Sequence, residues 1–149
     1  MAHSYVKIWV HAVFGTKYRQ NLIVPEIKKT VHQIIIDELK GLGCSLMAIN
    51  SMPDHVHILF LLNRNKNIAE VMKQVKGGSS YRINQQDLTP EKFAWQVGYG
   101  AFSVSESVID KVKDYIKNQE MHHQKLTFQE EYKRFVELHG FIFEGDTNG

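Results

Sequence analysis

Apolar and polar residues alternate along residues 5–14. Val6, Ile8, Val10, Ala12 and Phe14 fall on one side, and Tyr5, Lys7, Trp9, His11 and Val13 on the other. A period of two marks a strand, and its wholly apolar side is the one a layer of helices would cover. After a loop at residues 15–21, Pro25 suits a first helical turn. The helix it opens is predicted over residues 25–42, with Ile27, Val31, Ile34, Ile35 and Leu39 at helical spacing and Gly41 and Gly43 to stop it. A second strand is predicted over residues 44–52 and a tight turn at Pro53-Asp54. In a third strand, residues 55–62, Val56, Ile58, Phe60 and Leu62 share one face, while His55, His57, Leu59 and Leu61 share the other.

Asn67 can cap a second helix carrying Ile68, Val71, Met72 and Val75, which Gly77-Gly78-Ser79-Ser80 is expected to interrupt or end near Arg82. An irregular stretch, residues 88–100, holds Trp95 and leads to a fourth strand at residues 101–104. Ser105 or Ser107 caps a third helix running to about residue 123. Thr127 and Glu130 form the capping box of a last one, residues 127–139. The order strand, helix, strand, strand, helix, strand predicts an α+β, ferredoxin-like split βαβ fold. In it the first and third strands are central, two helices cover one face of an antiparallel sheet, and Trp9, His11, His55 and His57 share the opposite face. With no internal repeat or linker, residues 1–143 read as one domain and residues 144–149 as a frayed polar tail.

Composition narrows the class. A hydrophobic share of 43% can build a core and 23% charged residues is ordinary for a globular protein. No stretch approaches the ~20 consecutive apolar residues of a membrane span, and the N-terminus leads straight into a strand with no secretory signal. Cys44 is the only cysteine, which suits a reducing cytoplasm and a packing role. The formal charge of +2 does not advertise nucleic-acid binding. Its distribution says more: Lys17 and Arg19 sit together, Lys73 and Lys76 lie one turn apart, and Lys111, Lys113 and Lys117 crowd one segment.

His55 and His57 project from the same side of a strand, so they are either two hydrogen-bonded histidines beside a turn or two ligands of one metal ion. Two imidazoles do not close a site, and a third ligand has to come from elsewhere. On the third helix Tyr115 and Gln119 are four residues apart and share a face. A helix that only packed on a sheet would prefer an apolar residue at position 119.

Met52-Pro53-Asp54-His55-Val56-His57 resembles the metal-binding element of the HUH nucleases, and Tyr115-Ile116-Lys117-Asn118-Gln119 continuing to His122-His123 resembles the nucleophile helix of the single-tyrosine insertion-sequence transposases, the TnpA type. Thr16-Lys17-Tyr18-Arg19, Lys76-Gly77-Gly78-Ser79-Ser80, Trp95-Gln96-Val97-Gly98-Tyr99 and Phe102-Ser103-Val104-Ser105 follow in the same order, so the likeness spans residues 3–140. The resemblance implies that His55, His57 and Gln119 hold a metal and that Tyr115 is the nucleophile. It also implies Mg2+ or Mn2+, where imidazole preference alone would nominate zinc, copper, iron or nickel. The substrate it implies is single-stranded DNA with hairpin ends, cleaved and rejoined through a 5′-phosphotyrosine link. By the same resemblance the protein is a homodimer in which Tyr115 can serve the partner's histidines. Lys17, Arg19, Lys73, Lys76 and Arg82 are candidate DNA contacts, and His11 is placed to steady a ligand ring from the side. Two alternatives stay open: a non-catalytic ferredoxin-like module that stacks single-stranded nucleic acid on exposed Trp9 and Tyr5, and a domesticated relative acting on dispersed genomic palindromes.

Overall fold

In the computed structural model, which describes residues 4–118 together with Glu130 and Lys133, the elements follow in the order β1 (Trp9–Gly15), α1 (Pro25–Gly41), β2 (Ser45–Met52), β3 (His55–Leu61), α2 (Ile68–Gln85), β4 (Gly100–Val104) and α3 (Ile109–Lys117). The strands form one sheet in the order β2-β3-β1-β4, and every neighbouring pair is antiparallel. This is the α+β, ferredoxin-like arrangement that the order of elements predicts, with β1 and β3 in the middle.

Directly opposed residues of an antiparallel pair lie on the same face. Val10 opposes Phe60, Ala12 opposes Ile58 and Phe14 opposes Val56, so the two apolar strand faces merge into one. Val31, Ile35 and Leu39 of α1 and Val71, Met72 and Val75 of α2 close over it as the main core. Fully burying a side chain such as Phe60 or Ile58 contributes roughly 1.5–3 kcal/mol, and both are 0% exposed. Cys44 packs into this core, as expected. No helix among the described residues is long and apolar enough to cross a membrane.

Three boundaries differ from the sequence expectation. β1 begins at Trp9 rather than residue 5. Trp9 faces Leu61 on one side and Val104 on the other, the last residues of their strands, so Tyr5 and Val6 lie beyond the paired strand ends and are exposed. α2 runs unbroken through Gly77-Gly78. Gly78 faces α1, with the Glu38 carboxylate in the space a Cβ would take, while a Cβ on Gly77 would meet nothing within 4 Å among the described residues. The start of α2 is as predicted, with Asn67 and Glu70 exchanging both bonds of a capping box. The third difference is one of extent. α3 is described only to Lys117; its expected continuation lies outside the described residues, as does the last helix apart from Glu130 and Lys133, which are helical.

On the core side of the sheet, His32 Nε2 of α1 meets Ser51 Oγ of β2 at 2.7 Å. Burial first, and Lys28 second, lowers the His32 pKa from 6.5 to about 4. The unfolded chain therefore binds a proton between those values that the folded chain does not. The stability contributed by a neutral His32 is complete above pH 6.5 and is lost as pH falls toward 4. Urea titrations across this range should show a loss on the order of 2–3 kcal/mol. In His32→Gln, which keeps a donor toward Ser51, that part of the pH dependence should vanish.

Candidate functional site

The face of the sheet away from α1 and α2 carries the histidines. His55 opposes Gly15, His57 opposes Val13 on β1 and Asn50 on β2, and His11 opposes Leu59 and Phe102. All three imidazoles are buried, none more than 2% exposed. The His55 and His57 rings are 5.3 Å apart between centroids, as are those of His11 and His57. His55 Nδ1 lies 2.7 Å from Asp54 Oδ1, and His57 Nδ1 lies 3.0 Å from His11 Nε2. In both rings Nδ1 meets a neighbour, so Nε2 is the nitrogen that would serve an ion.

That pattern is the one metal-bound histidines show: the second ring nitrogen bonds to a carboxylate or another acceptor, which sets tautomer and orientation. The donor chemistry therefore fits a divalent ion at His55 and His57, with His11 in the steadying position its strand alternation predicts. Among the described residues no three His, Cys, Asp or Glu side chains complete a metal cluster. Gln119, the third expected ligand, lies outside the described residues.

α3 lies across the same face. Ile109, Val112 and Ile116 are spaced for one side of a helix, and they pack with Trp9, Ala48, Leu59 and Val104 in a second, smaller core. Tyr115 sits at the margin of that stripe, its ring centroid 6.0 Å from that of His57 and 6.4 Å from that of His11. A single chain thus brings together His55, His57, His11 and Tyr115.

Both ends of α3 are fastened to the sheet by side chains. Ahead of the helix, Glu106 accepts from Trp9 Nε1 at 2.5 Å and from Lys7 Nζ at 2.8 Å. The Lys7 and Trp9 bonds, in that order, hold its carboxyl below the usual carboxylate range. Beyond Tyr115, Asn50 Nδ2 donates to the carbonyls of Ile116 and Lys117 at 3.0 and 3.2 Å, while Asn50 Oδ1 accepts from Ser51 N at 2.9 Å. Trp9 is consequently buried at 8% exposure. The expectation that it offers a stacking surface is corrected: the ring is covered by α3 and its N–H is spent on Glu106.

The basic candidates divide. Lys17 and Arg19 lie in a short 3-10 turn, Lys17–Arg19, next to the site. Lys17 is exposed, its Nζ 5.4 Å from the Tyr18 ring centroid. Arg19 forms an ion pair with Asp54 at 3.7 Å. Lys73, Lys76 and Arg82 are all on α2, across the sheet from the histidines. Lys73 is exposed. Lys76 donates to the carbonyls of Gln96 and Gly98 at 2.8 and 2.7 Å, and burial lowers its pKa. Arg82 pairs with Asp37 and Glu38 of α1. The structure does not bring these three to the histidine pair.

Asn50, Asp54 and Glu106 escaped the sequence reading. For Asn50 the signal was available: a two-residue turn at Pro53-Asp54 sets Met52 opposite His55 and hence Asn50 opposite His57. Its two bonds occupy carbonyls that a helix C-terminus leaves without intrahelical partners. Asn50→Ala should cost about 0.5–1.5 kcal/mol per net hydrogen bond lost. Hydrogen exchange should then speed up in the amides of α3 and not in those of α1; equal protection in both proteins would refute the anchoring role.

Residues 4–119 match the family of IS200-like transposases. The ISDra2 transposase TnpA of Deinococcus radiodurans is 27% identical over 114 residues, covering 73% of this chain and 81% of that protein. A crystal structure from Deinococcus radiodurans R1, described as that of a transposase, superposes with a TM-score of 0.63 at 30% identity, covering 80% of this chain and 96% of that one. The structure of a REP-associated tyrosine transposase bound to a REP hairpin shares the fold, with a TM-score of 0.63 at 14% identity over 91% of this chain and 86% of that one. With the family match spanning the sheet, the histidine pair and the tyrosine helix, the chain belongs to the IS200-like transposases.

Proposed function

We propose that this protein cleaves and rejoins single-stranded DNA at hairpin-bearing ends through a 5′-phosphotyrosine intermediate, with Tyr115 as nucleophile. The observation that carries the reading is the placement of the Tyr115 ring beside His57, on the face where His55 and His57 are oriented as metal ligands are. The relative solved with a REP hairpin supports a hairpin-bearing substrate by analogy of fold. On this reading the protein works on DNA in the cytoplasm.

An ordinary tyrosine hydroxyl titrates near ~10 and is a weak nucleophile at neutral pH. A bound Mg2+ or Mn2+ would supply Lewis-acid polarisation of the scissile phosphate, and His55, His57 and Gln119 are the residues proposed to hold it. The chain's own part is to place the hydroxyl. α3, fastened by Asn50 and Glu106, fixes the Tyr115 backbone against the sheet, and this positioning lowers the entropic barrier to attack. The Tyr115 Oη–phosphorus bond forms as the phosphorus–O3′ bond breaks. The tyrosine gives up its proton, and the departing 3′ oxygen takes one up to leave as a hydroxyl. Attack by a later 3′-hydroxyl reverses the exchange and releases the tyrosine. One phosphodiester replaces another, so no nucleotide has to be hydrolysed.

Lys17 is the basic residue proposed to meet a DNA phosphate at the site. Lys73, Lys76 and Arg82 would be reached only by DNA that wraps around to α2. We carry forward the homodimer as part of the proposal, with Tyr115 able to serve the histidines of the partner; within its own chain its ring centroid lies 6.0 Å from that of His57. A stacking module without chemistry is less well supported, because Trp9 is buried beneath α3.

Incubation with a labelled hairpin-bearing single strand and Mn2+ should give a protein–DNA adduct that survives denaturation. Chelation should abolish it, and Tyr115→Phe should lower it by about 10³-fold or more. An adduct of wild-type yield in Tyr115→Phe would remove Tyr115 from the nucleophile role. Mixing Tyr115→Phe with His57→Ala protein should restore no adduct if the tyrosine acts within its own chain; recovery would place it on the partner.

A further inference from the structure

The loop after β1 contains two successive residues with side chains in the left-handed region, Tyr18 at φ 58° and Arg19 at φ 55°. Such conformations persist only where the surroundings over-determine them, and they gather at functional sites. Here the surroundings are plain. Thr16 Oγ1 donates to Gln20 O at 2.7 Å, Arg19 N to Thr16 O at 3.0 Å, and Lys17 N to Ala94 O at 2.9 Å. The outcome of the tight turn is that Tyr18 points outward, 81% exposed, and Arg19 folds back over the end of β1.

Its landing place is Gly15, which pairs directly with His55. A Cβ on Gly15 would lie 1.8 Å from Arg19 Nη1 and 2.9 Å from Cζ. By strand alternation that missing Cβ belongs to the face of Val13, His11 and the histidine pair. The guanidinium therefore occupies the space of an absent side chain beside His55. From there Arg19 Nε reaches Asp54 Oδ2 at 3.7 Å, while the other oxygen of the same carboxylate, Oδ1, meets His55 Nδ1 at 2.7 Å. Asp54 is thus divided between a cation and an imidazole.

We infer that Arg19 is a positioning residue for the metal ligand His55, acting through Asp54, and that Gly15 is bare so that the guanidinium can sit there. The inference rests on the proposed reading of His55 as a ligand. A carboxylate one residue from an imidazole ligand can do two different things. Held by Arg19, it accepts from Nδ1–H and keeps the His55 lone pair on Nε2. Without Arg19 it can rotate, releasing the ring's tautomer and orientation or competing for the ion with its own charge. Arginine suits the task because its charge persists at any working pH and its planar fork resists rotation. This assigns Arg19 to the orientation of His55 rather than to a DNA phosphate.

The test is Mn2+ binding to the full chain without DNA, read by calorimetry or by loss of the free-ion paramagnetic resonance signal. Arg19→Ala and Gly15→Ala should each weaken Mn2+ binding by about 10–100-fold, the range for partners that orient metal-bound histidines. Arg19→Lys should recover part of the loss. Gly15→Ala displaces the guanidinium without removing a charge, and because its Cβ also comes within 3.2 Å of the Asp54 carbonyl, Arg19→Ala is the decisive variant of the two. Binding of a single-stranded oligonucleotide in the absence of metal, and its dependence on salt, should match wild type in all three. Wild-type Mn2+ affinity in both alanine variants would overturn the inference. So would a salt slope for Arg19→Ala reduced by about 0.7, the share of one phosphate contact on a single strand. His55→Ala is the control for the underlying reading: if it binds Mn2+ as wild type does, the metal site itself is misplaced, and the role of Arg19 falls with it.

Discussion

The register between β1 and β3 is the constraint on which everything else rests. With Trp9 opposite Leu61 and Gly15 opposite His55, seven pairs divide cleanly between a greasy face and a face of imidazoles. A slip of one residue would turn every side chain of one strand over, driving His55 and His57 into the core and Val56 and Ile58 toward α3. The core thus enforces the site. Because Ile58 and Phe60 are fully buried under α1 and α2, the free energy that folds the sheet is also what holds the histidines on the other side of it.

The site face is an unusual surface for a sheet, and α3 makes it tolerable. Three buried imidazoles are costly unless their nitrogens find partners. Asp54 and the His11–His57 contact provide such partners, while Leu59, Ala48 and Trp9 give the helix an apolar seat next to them. Polar and apolar halves of one face thereby divide the work. One half fastens the helix, and the other meets whatever the helix presents.

Much of this was legible in the sequence, for identifiable reasons. Strand alternation placed His55, His57 and His11 on one face because a half-buried strand has no freedom to hide its period. The spacing of Ile68, Val71, Met72 and Val75 announced α2 for the same reason. What was lost depended on neighbours distant in sequence. Alternation from Tyr5 onward says nothing about where β3 and β4 stop, so the pattern overruns the start of β1 by four residues. Gly77-Gly78 carries a weak helical propensity, and only the folded chain shows the Glu38 carboxylate lying where a side chain at position 78 would be. Trp9 read as an exposed ring because its cover comes from residues about a hundred positions away. Asn50 and Glu106 are ordinary polar residues by type; their meaning lies in bonds that only the folded chain reveals. Gln119 falls outside the described residues, and its place in the ligand set continues to rest on the family resemblance.

The fastening of α3 has a mechanical side. Its leading end is tied to β1 through Trp9 and its trailing end to β2 through Asn50, and these two strands flank β3. The helix is therefore a crossbar lying over the central strand. If Tyr115 carries a covalent strand of DNA, tension on that strand pulls between the two ties, close to the Asn50 one, rather than at a loose end. The load passes into two separate strands, β2 through Asn50 and β1 through Trp9, each of which is held by the ladders of the same sheet.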